Sequence, residues 1–293
     1  MTINEIKKLC NDFGIRPSKG KGQNFLLNEQ IIEEIIKAAD LSTADYVLEI
    51  GPGFGILTEQ LIKKCQKVLA IELDKGLVFF LKKKFSASGG KTEKNPEILL
   101  ADILAIKNQD LSDKLKSVNY KIVANLPYAI TKPIFKKFLS YSPKPLEMTL
   151  LVQKEVAQKI IAQPGEMSIL ALSVQFYGQP EIVGYVGKEN FYPLPKVDSA
   201  ILKIKIRPGL PEELKRVLSQ KDLEKFEENK FWQLVKMGFS SPRKQLQNNL
   251  AAGLKISKIE AITGLKIRGL ADNCRAGDLG LADWAKLYQQ FMV

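Results

Sequence analysis

Histidine is absent from all 293 residues. That absence excludes Ser-His-Asp and Cys-His hydrolases, histidine general bases and nearly every zinc enzyme, so any chemistry here runs without imidazole. Cysteine is scarce: Cys10, Cys65 and Cys274 are odd in number and far apart, which fits neither a disulfide framework nor a paired-cysteine zinc module. No metal is expected. No run approaches the roughly 18 apolar residues that a membrane span needs. Charges also break every short hydrophobic stretch of the N-terminal MTINEIKKLCNDFGIRP, which lacks a secretory core segment. These absences predict a cytoplasmic protein with no membrane partner. What the chain has in excess is positive charge. Its 44 Lys and Arg against 32 Asp and Glu leave +12, a balance suited to a polyanion such as nucleic acid or acidic lipid headgroups, or to a solvated lysine-rich surface.

From residue 47 short apolar runs alternate with amphipathic stretches: VLEIG, ILTEQLIKKC, KVLAIELD, GLVFFLKKKF, EILLADIL. Runs of mostly apolar residues separated by helical segments read as strands buried on both faces and joined by parallel crossovers, an α/β sheet. KIVANLPY at 121–128 and LEMTLLVQ at 146–153 add a fourth and a fifth strand, and EIVGYVG and AILKIKI a closing, antiparallel-capable pair. SASGGKTEKN, between Phe85 and Pro96, is polar and glycine-rich and reads as an exposed loop. RPGLPEEL at 207–214 reads as a linker, and beyond it FWQLVKMGF, RKQLQNNLAAGL, SKIEAITGL and LADWAKLYQQF all carry helical spacing. Two domains are expected: 1–206, with an N-terminal arm over 1–30, and a small all-helical domain over 207–293.

LEIGPGFGILTEQL puts Gly51, Gly53 and Gly55 at a strand-to-helix junction, where missing side chains permit a tight turn and close approach of a ligand, although such a turn can be purely structural. Glu72, at the end of the next strand, can accept both hydroxyls of a ribose, with Asp74 the nearby alternative. Dinucleotide loops usually read G-x-G-x-x-G and seat a pyrophosphate on the helix, whereas this loop reads G-x-G-x-G with Glu49 just ahead, which favours a ligand without pyrophosphate. Asp102, ending the third strand, can accept from an exocyclic amine such as adenine N6, or can instead cap the following helix.

The order E-I-G-P-G-x-G, I-E-L-D, A-D and N-L-P-Y resembles the S-adenosylmethionine-dependent adenine-N6 methyltransferases. GQNFL at 22–26, FYPLPKVDSA at 191–200 and FSSPRKQLQNNL at 239–250 are similar to signatures of the ribosomal RNA adenine N6,N6-dimethyltransferase family, small-subunit type, and extend the likeness over almost the whole chain. The resemblance implies a Rossmann-like methyltransferase domain with a helical, RNA-binding C-terminal domain. It implies S-adenosylmethionine as cofactor, bound by Asn24, Leu26, Gly51, Gly53, Glu72, Asp102 and Asn125. The implied reaction is dimethylation of N6 on two adjacent adenosines near the 3′ end of small-subunit (16S) rRNA, during biogenesis of an immature 30S particle, by a monomer. Other readings are a large-subunit dimethyltransferase of the macrolide-resistance type, a ribosome-assembly binding factor, and, more distantly, a nicotinamide dehydrogenase.

An adenine N6 amine has its lone pair delocalised into the ring and is a poor nucleophile until the nitrogen is drawn toward tetrahedral geometry. The Asn125 side-chain oxygen and the Leu126 carbonyl, turned outward by Pro127, can both accept from N6 and aim its lone pair. Tyr128 is placed to stack on an extracted base, and Phe191 to close its other face. Ala129 follows, where many relatives carry a larger or polar residue. Arg243 and Lys244, read as helical, are expected RNA contacts, and Lys132, Lys136 and Lys137 are further phosphate candidates. Phe231 and Trp232 fit a helical core better than a stacking surface.

Overall fold

The short apolar runs form strands and the amphipathic stretches between them form helices. A computed structural model describes residues 1–17, 23–87 and 95–293; Gly22 of GQNFL and residues 88–94 of the expected exposed loop lie outside the described residues. The chain divides into two compact units, Met1–Ala157 with Pro180–Ile206, and Gln158–Gln179 with Arg207–Val293.

The first unit opens with α1 (Ile3–Asp12), closed at its N-terminus by a Thr2–Glu5 capping box, then β1 (Phe25–Leu26) and α2 (Glu29–Ala39). Asn28 caps α2 by accepting from the Gln30 amide, and Ile32, Ile35, Ala38 and Ala39 form its buried stripe. There follow β2 (Tyr46–Ile50), α3 (Ile56–Lys64), β3 (Lys67–Glu72), α4 (Lys75–Ala87), β4 (Glu97–Leu100), α5 (Asn108–Leu115), β5 (Lys121–Asn125), α6 (Thr131–Ser140), β6 (Glu147–Gln153) and the start of α7 (Lys154–Ile160). After α8 (Ile169–Tyr177), which belongs to the second unit, come β7 (Gly178–Val186), β8 (Phe191–Tyr192) and β9 (Ser199–Ile206).

Seven strands make one sheet in the order β4-β3-β2-β5-β6-β9-β7. The first five are parallel, with Leu48 beside Leu69 and Ile122, and Val123 beside Thr149; β9 runs antiparallel to β6, with Leu150 opposite Leu202. Strands β2, β3, β5 and β6 are almost wholly buried, as parallel strands covered by helices must be. The chain winds outward from β2 through β3 to β4 and then returns to β5 on the other side of β2. A crevice therefore opens at the C-terminal ends of β2 and β5, where such sheets bind ligands. A two-stranded ribbon, β1 against β8, pairs Leu26 with Phe191 and Phe25 with Tyr192. GQNFL and FYPLP thus meet in space, a pairing with no short-range signal in either segment.

The second unit holds α8 and α9 (Glu212–Val217), α10 (Gln220–Glu224), α11 (Glu228–Gly238), α12 (Leu246–Leu254), α13 (Lys258–Ile267) and α14 (Leu281–Phe291). Residues 158–179 group with these helices and interrupt the expected 1–206 domain, because the Phe176 ring of α8 packs on Phe231 and Trp232 at 5.3 and 5.2 Å. Only the first part of RPGLPEEL is a connector: α9 starts at Glu212 and buries Leu214. Trp284, Phe231 and Tyr288 fill the core, and Gly238 leaves room for the Trp284 ring, which a Cβ there would meet at 2.3 Å. Among the described residues no helix is long and apolar enough to cross a membrane.

Candidate active site

The crevice contains a cavity of about 1140 Å³, counted to its open mouth, and every residue lining it belongs to the first unit. Asn24, Leu26, Gly51, Gly53, Glu72, Asp102, Asn125 and Pro127 are all on its wall. Residues spread over more than a hundred positions converge because β1, β2, β3, β4 and β5 all end, or are followed by loops, at this place.

Gly51 and Gly53 take φ of +68° and +58°, a region that L side chains rarely adopt. The Gly51 amide donates to the Ile71 carbonyl at 2.9 Å and the Gly53 amide to Glu72 Oε2 at 3.3 Å, so the loop folds back over the end of β3. A Cβ on Gly53 would sit 3.0 Å from the Phe25 ring; the bare backbone lets β1 close against the loop.

Glu72 is buried, and its Oε1 accepts from the Leu73 and Asp74 amides, each at 2.9 Å. Burial raises its pKa, and the backbone donors, which favour the carboxylate, only partly oppose that. Asp74 is on the same wall, and its Oδ1 accepts from the Gly76 and Leu77 amides and closes the first turn of α4. Asp102 is exposed and its Oδ1 accepts from the Leu104 amide at 2.8 Å, so it shapes a turn rather than capping a helix, with buried Ile103 beside it on the wall.

Asn125 ends β5, and its Nδ2 donates to the Asn24 carbonyl at 3.0 Å. Leu126 is buried, its amide bound to the Leu151 carbonyl at 3.1 Å, which fixes where the backbone leaves the sheet. Tyr128 begins a 3₁₀ turn, and its hydroxyl shares a 2.9 Å hydrogen bond with Ser199 Oγ.

Some expected residues lie elsewhere. Phe191, like Leu126 and Tyr128, is not on the wall of this cavity; it is 3% exposed and packs with Leu26, Ile32 and Ile201. Arg243 and Lys244 are exposed, but in the turn between α11 and α12 rather than on a helix; Asn249 pins that turn through its Nδ2, which donates to the Ser241 carbonyl. Lys132 and Lys136 are exposed on α6, whereas Lys137 is drawn inward to the Ile106 carbonyl and burial lowers its pKa.

Glu49, read from sequence only as the residue ahead of the glycine loop, is also on the wall. It is 1% exposed, accepts from Thr58 Oγ1 at 2.6 Å, and burial, helped by the nearby Glu72 charge, pushes its pKa up to about 8, against Thr58 and Lys84. A carboxylate inside the otherwise apolar VLEIG strand is the signal that marks it. The wall thus carries Glu49, Glu72, Asp74 and Asp102, and among the described residues no Lys or Arg side chain lines it.

A ligand in this cavity meets close backbone approach, a buried carboxylate aimed by three amides and, among the described residues, no cation to balance a phosphate. A doubly wound sheet with that pocket at its switch point is a Rossmann-like nucleoside-binding architecture, the one S-adenosylmethionine-dependent methyltransferases are built on. The family model described as "Ribosomal RNA adenine dimethylase" matches residues 16–292, and the chain belongs to that family. It is similar to the "Ribosomal RNA small subunit methyltransferase A" of Dehalococcoides mccartyi, 39% identical over 97% of this chain and 91% of the relative. The protein of the same description from Alkaliphilus metalliredigens is 34% identical over 98% of this chain and 96% of the relative. Among solved structures it resembles a dimethyladenosine transferase from Plasmodium falciparum, with TM-score 0.70 and 25% identity over 91% of this chain and 97% of that one. It also resembles the 23S rRNA methyltransferase ErmE, with TM-score 0.68 and 26% identity over 92% of this chain and 99% of that one.

Proposed function

We propose that this enzyme transfers methyl groups from S-adenosylmethionine to N6 of two adjacent adenosines near the 3′ end of small-subunit rRNA. In this reading it acts as a monomer in the cytoplasm, on an immature small subunit. The observation that carries the choice of cofactor is the cavity wall, with its four carboxylates and, among the described residues, no cationic side chain. That wall suits a cationic, phosphate-free nucleoside better than a pyrophosphate. The choice of the small subunit rests on relatives named for it, 39% and 34% identical over nearly the whole chain.

The residues present fit the cofactor. Glu72 would accept from its ribose hydroxyls, Gly51 and Gly53 would let it lie against backbone, Asp102 and Ile103 would meet its adenine, and Asn24 and Leu26 would flank it from the N-terminal arm. When bound it supplies an electrophilic methyl group on a sulfonium centre. The chain's own work is done on the amine. Asn125 spends its nitrogen on Asn24, so Oδ1 is the atom left to accept one N6–H, and the Leu126 carbonyl accepts the other. Held by two acceptors, the amine turns its lone pair out of conjugation, and orientation supplies much of the rate. No base is needed beforehand, since the nitrogen becomes acidic on alkylation and then loses its proton. Tyr128 stacks on the extracted base, and Arg243 and Lys244 meet phosphates of the RNA.

The test is incubation of the enzyme and labelled S-adenosylmethionine with unmethylated small and large subunits, followed by nucleoside analysis of each rRNA. Dimethyladenosine in the small-subunit rRNA is expected. Label confined to the large subunit would assign the chain to the 23S type, and no label in either would remove the reading.

A further inference from the structure

Tyr128 is held from a strand two places away in the sheet. Its hydroxyl meets Ser199 Oγ at 2.9 Å, and Ser199, the first residue of β9, is fully buried and opposite Gln153 of β6. The same β6 carries Leu151, which is beside Asn125 on one side and opposite Ile201 on the other. The ladder β5-β6-β9 therefore fixes the distance between the acceptor Asn125 and the anchor Ser199. The anchor is itself braced: the carbonyl of the adjacent Asp198 accepts from the Lys154 amide at 3.0 Å and its Oδ1 from the Lys188 amide at 3.2 Å. Burial raises the pKa of the Tyr128 phenol, which stays neutral and able to share the hydrogen bond.

The two methyl transfers make different demands on this arrangement. An unmodified adenosine N6 offers two N–H groups, one for Asn125 Oδ1 and one for the Leu126 carbonyl. After the first transfer only one N–H remains, and half of the polar alignment is gone. The orientation of the base then depends on the ring it stacks against, and a half-buried ring on a short turn is oriented by whatever holds its far end. We propose that Ser199 is a positioning residue for the second methyl transfer: by fixing the Tyr128 ring it lets the monomethylated adenosine be aligned with one acceptor instead of two. The proposal rests on the reading of Tyr128 as the platform for the target base.

Two variants remove the same hydrogen bond from opposite ends, Ser199→Ala and Tyr128→Phe, and the second keeps the ring. Single-turnover time courses on unmethylated small subunits, resolved into mono- and dimethyladenosine, read both transfers. The second transfer should slow about tenfold, the rate equivalent of one ordinary hydrogen bond, while the first slows by about threefold or less. Monomethyladenosine then accumulates. The double variant should be no worse than either single one, since both delete one interaction. Cofactor affinity by calorimetry identifies a variant that has failed to fold, and if Ser199→Ala does so, Tyr128→Phe decides. An unchanged ratio of mono- to dimethyladenosine, or equal slowing of both transfers, overturns the proposal. Tyr128→Ala tests the platform itself: if it impairs transfer while the two hydrogen-bond variants leave the ratio unchanged, the platform stands and the Ser199 role falls. If it leaves both transfers at the parental rate, both fall.

Discussion

Asn125 and Asn24 are joined by a 3.0 Å hydrogen bond across 101 residues of chain, from the side-chain nitrogen of one to the backbone carbonyl of the other. This bond fixes the orientation of the Asn125 amide and keeps Nδ2, not Oδ1, on Asn24. Asn125→Ala removes the acceptor and the tether together, and single-turnover methyl transfer should fall by about a hundredfold or more, the loss of a positioning contact used in the transition state. RNA affinity should change far less, because phosphate contacts supply most of it. Transfer near the parental rate would mean that NLPY is only a turn.

Glu72→Ala should weaken S-adenosylmethionine binding by about tenfold or more, since a charged acceptor to ribose hydroxyls is worth about 1.5 to 3 kcal/mol. Titration calorimetry checks it. Unchanged affinity would return the ribose to another carboxylate of the wall.

Arg243→Ala combined with Lys244→Ala should weaken RNA binding and flatten its dependence on salt, because each lost phosphate contact releases fewer counterions. Cofactor affinity should stay as it was, since neither residue is on the cavity wall. A salt slope identical to the parent's would place the RNA on another surface.

Glu49 links stability to pH. Its carboxyl titrates near 4.5 when unfolded and near 8 when buried, so below both values it costs nothing. As pH rises through that window the unfolded chain releases the proton while the folded one holds it, and stability falls. Glu49→Gln keeps an acceptor for Thr58 but does not titrate. Melting both proteins without cofactor at about pH 5 and about pH 8.5 should show the variant's advantage growing with pH. A constant difference in Tm would show that Glu49 titrates as an ordinary carboxyl.

The parallel strands were legible because runs such as VLEI and KIVAN bury both faces, and the switch-point crevice followed from the glycine turn and from the carboxylate ending the next strand. What stayed hidden depended on contacts between distant segments. The ribbon of β1 and β8 has only two pairs, too short for any alternation to show. The place of Phe191 beside Leu26 was therefore not legible. Glu49 was read only as the residue ahead of the glycine loop, because a strand pattern does not say that a cavity opens on one side of the strand. Arg243 and Lys244 were read into the following helix, but Gln245 is the residue that caps α12, so the basic pair falls in the turn before it.

The excursion of residues 158–179 decides how this protein can be taken apart. The chain visits the helical unit, goes back to complete the sheet with β7 and β9, and then returns for good, so it crosses between the units three times and no single cut separates them. A chain ended at Ile206 would retain Ile169–Tyr177 but lose Phe231 and Trp232, the rings that cover Phe176, and a buried apolar helix would become a sticky surface. The helical unit is for the same reason a poor portable module: grafted as residues 207–293 alone, it would arrive with a wedge missing from its centre.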